Sequence, residues 1–118
     1  MRLLKAVGVV LLVLCAVAIA SEKNLGIHNV ASVKFETAVR VGTAVIPAGT
    51  YTVRHTMEGQ DHVMTFTRNG KKDVYKVKCN LVTLEKKAPQ DQQIIEMSGN
   101  ERVLRELIFR GDTAKHVF

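Results

Sequence analysis

From residue 30 onward, apolar and polar residues alternate in short runs that glycine, proline or asparagine interrupts. In the first run Val33, Phe35, Val39 and Val41 occupy odd positions between polar neighbours. Such alternation places successive side chains on opposite faces of a strand, one buried and one in solvent. Further runs of this kind lie at 43–46, 50–56, 63–67, 74–84, 94–97, 103–109 and 114–118. The pattern predicts an all-β domain of about eight strands, an antiparallel β-sandwich or small β-barrel connected as a meander.

Two turn signals set the expected corners of this domain. Asn69-Gly70 tolerates the two positive φ angles of a type I′ turn, so it predicts a tight hairpin between the strands on either side. Pro47-Ala48-Gly49 predicts a second turn, after which Tyr51 buries its ring while its hydroxyl reaches a backbone group.

Residues 1–20 have the order of a cleavable signal peptide. Arg2 and Lys5 precede an uncharged stretch, residues 6–20, which ends in Ala18-Ile19-Ala20. Small side chains at Ala18 and Ala20 suit the peptidase, so we expect a signal helix cleaved after Ala20. The stretch is shorter than the roughly 20 residues that a membrane anchor needs. Lipidation at Cys15 is disfavoured because the preceding Leu14 is large.

Cleavage would leave residues 21–118 as one exported domain, periplasmic or secreted. The chain has 17 Lys and Arg against 11 acids. Because Arg2 and Lys5 leave with the signal, the formal charge falls from +6 to +4. In that compartment a basic surface meets anionic envelope lipid, polysaccharide or a protein partner, and nucleic acid is disfavoured. Cys79 is then the sole cysteine, and its place in an alternating run predicts a buried, unreactive thiol.

Four histidines invite a search for a metal site, but none of them form the His-x-His pair that suits a strand. His55 and His62 flank a loop that contains Glu58 and Asp61. If the strands on either side pair, these four residues become candidate metal ligands. The alternative is that they are ordinary surface side chains near a hairpin turn, which the sequence favours.

Other catalytic patterns are missing from the sequence. There is no Gly-x-Ser-x-Gly elbow, no phosphate-cradling glycine loop and no convincing pair of carboxylates for acid–base chemistry. We therefore assign no catalytic residues and no cofactor.

A positive face is the second candidate site. Lys76 and Lys78 alternate with apolar residues and so point away from the core, and Arg68, Lys71 and Lys72 surround the adjoining turn. Together they form a possible anion-binding face. The simpler interpretation is that lysines on an exposed strand discourage edge-to-edge aggregation. Arg110-Gly111-Asp112 spells an adhesion tripeptide, but Gly-Asp is also a common hairpin turn.

The segment 39–53, Val-Arg-Val-Gly-Thr-Ala-Val-Ile-Pro-Ala-Gly-Thr-Tyr-Thr-Val, resembles a motif of small exported bacterial proteins of unknown function. Leu107-Ile108-Phe109-Arg110-Gly111 and Val117-Phe118 resemble the closing hairpin of the same group. The Pro-Ala-Gly-Thr-Tyr unit is also similar to a turn of transthyretin-like β-sandwich modules. Either resemblance implies a β-sandwich or barrel outside the cytoplasm and brings no catalytic residues.

These observations predict an exported, non-enzymatic β-domain, a binding or envelope-associated module whose ligand is open. The alternatives are a small metal-dependent enzyme that uses His55, His62, Glu58 and Asp61, and a structural or oligomerising subunit.

Overall fold

The computed structural model describes residues 26–118. They form an all-β domain that consists of one open sheet of nine strands. The strands are β1 (Val30–Phe35), β2 (Val39–Val41), β3 (Ala44–Ile46), β4 (Gly49–Glu58), β5 (Asp61–Arg68), β6 (Val74–Thr83), β7 (Gln92–Ser98), β8 (Glu101–Ile108) and β9 (Ala114–Val117). The all-β prediction is confirmed, with one strand more than the eight expected.

The strand order is β1-β4-β5-β6-β9-β8-β2-β3, and β7 pairs with the other edge of β8. Strand β6 belongs to both halves of the sheet, because residues 74–79 pair with β5 and residues 80–83 pair with β9. All pairs are antiparallel except β2 and β8, which meet in parallel at Arg40 and Val103. The expected meander holds within β2–β3, β4–β5–β6 and β7–β8–β9 but not for the whole sheet. β1 pairs with β4, and β2 pairs with β8, so the sheet also depends on pairing between distant parts of the chain.

The two halves of the sheet share one core. Its buried side chains come from strands of both halves: Val33, Phe35, Val39, Val41, Ile46, Tyr51, Val53, Met64, Phe66, Val77, Cys79, Leu104, Leu107 and Phe109. The β2–β3 turn lies close over β6, since a Cβ added at Gly42 would stand 3.0 Å from Val77 Cγ1. The inward-facing positions agree with the alternation in the sequence.

Of the two predicted turns, the one at Pro47-Ala48-Gly49 has the expected tyrosine contact and the one at Asn69-Gly70 differs in type. Tyr51 is fully buried and its hydroxyl donates to the carbonyl oxygen of Pro47 at 2.6 Å, as expected. Strands β5 and β6 pair as predicted, but the turn between them is not type I′. In residues 26–118 only glycines have positive φ, so Asn69 lacks the angle that this turn requires. The connection instead spans residues 69–73.

The predicted signal helix, its cleavage site at Ala18 and Ala20, and Cys15 lie outside the described residues. Within residues 26–118, no helix is long and apolar enough to cross a bilayer.

Candidate functional site

Three histidines meet on the inner face of the sheet. His55 follows the buried Tyr51 and Val53 at alternate positions of β4, and His62 precedes Met64 at an alternate position of β5. His116 lies on β9, which the pairing with β6 and β8 brings to the same region. The cluster of His55, His62 and His116, called here the histidine cluster, therefore combines three strands.

The rings of the cluster are in direct contact. Nε2 of His55 lies 2.9 Å from Nδ1 of His62, a hydrogen bond in which one of the two nitrogens donates. The ring centroid of His55 lies 5.1 Å from that of His62 and 5.7 Å from that of His116. Phe109 closes the other side of His116, with centroids 5.7 Å apart.

His116 is the most deeply buried member. Its side chain is 0% exposed, and neither ring nitrogen has a hydrogen-bond partner in residues 26–118. Burial lowers the pKa of His116 to about 4, and the neighbouring imidazoles His55 and His62 lower it further in the same direction. The ring is therefore neutral at physiological pH.

Three sulfur-containing residues are cross-strand partners of His55 and His62. In the register of the sheet, His55 lies opposite Met64, while His62 lies opposite Met57 on one side and Cys79 on the other. Cys79 is buried and forms no disulfide within residues 26–118, as the sequence predicts. Burial raises the pKa of its thiol to about 11, which keeps the sulfur protonated and unreactive at neutral pH.

A cleft gives access to this region from solvent. It has a volume of about 230 Å³, and its walls include His62, Cys79 and Phe118. His55 and His116 are buried, so His62 is the member of the cluster that the cleft reaches.

The structure does not bring the four candidate metal ligands together. Glu58 and Asp61 occupy the alternate positions that face away from His55 and His62, and each is ion-paired: Glu58 with Lys76 at 2.6 Å and Asp61 with Lys78 at 3.3 Å. In the described part of the chain, no group of three His, Cys, Asp or Glu side chains is placed to hold a metal ion.

The five basic residues likewise do not form one face. Arg68 shares the inward parity of Met64 and donates to the Ala48 carbonyl oxygen at 2.9 Å, beside its ion pair with Asp73. Lys76 and Lys78 lie on the opposite face and are neutralised by the two acids named above. Lys71 and Lys72 remain exposed in the turn.

The Arg110-Gly111-Asp112 tripeptide is a structural turn. Asp112 is 2% exposed, and its Oδ1 accepts from the His28 backbone N–H at 3.1 Å and lies 2.5 Å from the ring nitrogen Nδ1. Burial raises the pKa of Asp112, and the bonds to His28 oppose that rise. A carboxylate so enclosed is not displayed for adhesion.

Sequence reasoning paired His55 with His62 but missed His116 and the methionines. Two signals were present. Period-two alternation places His55 on the side of Tyr51 and Val53, which makes it a core residue. The second signal is the pattern His-x-Met, which occurs twice, at 55–57 and 62–64.

Comparison with protein-family models, with curated proteins and with solved structures found no match to this chain.

Proposed function

We propose that this chain is an exported, non-catalytic β-sandwich domain that binds a ligand at the histidine cluster. The shared core of the two halves of the sheet supports the sandwich. The order of charged, apolar and small residues in 1–20 supports export.

The observation that carries the proposal is the state of His116. A buried polar group without a hydrogen bond costs about 1–3 kcal/mol, and a hydrophobic residue of similar size would avoid that cost. Residues that lower the stability of the fold in this way are typical of functional sites. The cleft beside His62 offers the route by which a ligand reaches the cluster.

The neighbouring chemistry favours binding over catalysis. A triad-type hydrolytic mechanism needs an activated nucleophile beside the imidazole and a carboxylate that orients the ring. Glu58 and Asp61 face away and are held by lysines. The Cys79 thiol is protonated at neutral pH, because its pKa is raised to about 11.

Replacement of His116 by an apolar residue tests the proposal without knowledge of the ligand. We expect His116→Leu or His116→Phe to raise the free energy of unfolding by at least about 1 kcal/mol, because the unsatisfied nitrogens are removed. Two variants are used because the larger phenyl ring can overpack the site. Leu107→Met, at the cross-strand partner of His116, is the control and should cost less than about 1.5 kcal/mol. A loss of stability in both His116 variants would show that the imidazole supports the fold, and the proposal would fail.

A further inference from the structure

The β4–β5 hairpin repeats one short pattern on its two strands. His55-Thr56-Met57 and His62-Val63-Met64 are both His-x-Met. Antiparallel pairing sets His55 opposite Met64 and Met57 opposite His62. Cross-strand partners have Cβ atoms about 4.5–5.5 Å apart, so the two histidines and the two methionines form one four-residue patch of the hairpin, called here the square.

Two ring nitrogens of this square face each other. Nε2 of His55 and Nδ1 of His62 are 2.9 Å apart, so a single hydrogen must lie between two lone pairs that would otherwise repel. A metal ion bonded to both nitrogens at about 2.0 Å would take the place of that hydrogen after a small rotation of the rings. The pair of histidines therefore supplies two nitrogen donors that point to one place.

The donors identify the metal. No three His, Cys, Asp or Glu side chains in residues 26–118 are placed to hold a metal ion, and the residues that pair with His55 and His62 across the hairpin are methionines. The thioethers of Met57 and Met64 are soft ligands, which select Cu(I) over Zn(II), Mg(II) or Ca(II). The hard oxygen donors nearest in sequence, Glu58 and Asp61, lie on the opposite face.

Burial also favours a monovalent ion. His55 is 5% exposed and His116, whose ring packs on His55, is 0% exposed. Each added unit of charge in such surroundings increases the desolvation cost. The acids of the hairpin do not offset that cost, because Glu58 and Asp61 alternate to its other face and are ion-paired with Lys76 and Lys78. Met57 is 39% exposed and His62 lines the cleft, so the outer half of the square is accessible to an entering ion.

We propose that the histidine cluster binds one Cu(I) ion, held by the imidazoles of His55 and His62 and the thioethers of Met57 and Met64. The proposal rests on the function proposed above and names the ligand of that site. His116 is outside the proposed ligand set, and its ring packs on His55.

Competition for Cu(I) tests this ligand set. The metal-free, reduced protein is titrated anaerobically against the coloured complex of Cu(I) with bicinchoninate, and loss of colour measures transfer to the protein. We expect one equivalent of Cu(I) per chain, and at least about tenfold weaker binding in Met57→Leu and His62→Asn. Met57 and His62 are not fully buried, so both variants should fold, which far-UV circular dichroism checks.

Two control variants make the result specific. Met97→Leu removes an exposed methionine on β7 and should bind as the wild type does. Cys79→Ala should also retain the wild-type affinity, because the thiol is outside the proposed ligand set. Failure to withdraw Cu(I) from the chelator, or equal affinity in Met57→Leu and the wild type, would overturn the copper proposal. If copper binding fails while the His116 variants are more stable, the copper proposal is rejected and the proposed function is retained without it.

Discussion

His55 and His62 touch although they are not cross-strand partners. Each lies opposite a methionine in the register of β4 and β5, and the 2.9 Å contact between Nε2 of His55 and Nδ1 of His62 is diagonal across the hairpin. Diagonal neighbours on a sheet are about 7–8 Å apart at the backbone, a distance that two imidazole rings span. This diagonal contact orients the ring nitrogens toward each other, which is the geometry on which the copper proposal rests.

Acid should weaken the metal-free fold through His116. Its pKa falls from 6.5 in the unfolded chain to about 4 in the folded one, so the unfolded chain binds more protons between these values. Protonation of His116 therefore does not affect the free energy of unfolding above pH 6.5 and lowers it as pH falls to about 4, by about 3 kcal/mol in total. Urea unfolding of chelator-treated protein at pH 7.5 and 4.5 measures it. His116→Leu should show a smaller difference between the two pH values, and an equal difference in the variant and the wild type would contradict the assignment to His116.

The Cys79 thiol should resist alkylation in the folded protein. With a pKa of about 11, it is ionised in only about one molecule in a thousand at pH 8, and its side chain is buried. Iodoacetamide labelling followed by mass spectrometry should therefore be at least about a hundredfold slower in the native protein than in guanidinium. Comparable rates in the two conditions would show that the thiol is accessible.

Tyr51→Phe should cost about 1 kcal/mol, because it removes the hydroxyl that donates to the Pro47 carbonyl oxygen at 2.6 Å. Tyr75→Phe is the matched control. The hydroxyl of Tyr75 has no protein hydrogen bond in the part of the chain that the structure describes, so its removal should change stability by less than about 0.5 kcal/mol. Chemical denaturation measures the free energy of unfolding of both variants. An equal decrease in Tyr51→Phe and Tyr75→Phe would show that the hydrogen bond to Pro47 adds no stability.

Export should leave Ser21 as the first residue of the mature protein. Small side chains at Ala18 and Ala20 suit signal peptidase, so Ala20→Leu should cause the uncleaved precursor to accumulate. Intact-mass measurement of the chain expressed in a bacterium and recovered from its periplasm checks both statements. Recovery of the full-length wild-type chain from the cytoplasm would contradict export.

The alternation of apolar and polar residues predicted much of the fold. The features that it did not predict have physical explanations. Period two identified the inward positions of β4 and β5, including the burial of Tyr51. It did not predict the partner of β2 or the position of β9, because those depend on pairing between distant parts of the chain. His116 therefore joins His55 only in the structure. The turn after Arg68 also differed, since residues 69–73 form a longer connection than the Asn-Gly pair indicates.

The candidate site was also predictable only in part. The proximity of His55 and His62 was predictable from the hairpin, but the choice of Glu58 and Asp61 as their companions was not supported. On a strand, a residue three positions from His55 points to the other face, as Glu58 does, whereas a residue two positions away, such as Met57, points to the same face. Strict use of that rule selects the methionines.

X-ray absorption at the copper edge of Cu(I)-loaded Cys79→Ala protein tests the account most directly, because the remaining sulfur donors near the cluster are thioethers. We predict a shell of imidazole nitrogens near 2.0 Å together with a shell of sulfur near 2.3 Å, the distances typical of metal bonds to these atoms. The sulfur shell should diminish in the double variant that also carries Met57→Leu. A spectrum with nitrogen or oxygen neighbours alone would contradict the proposed ligands.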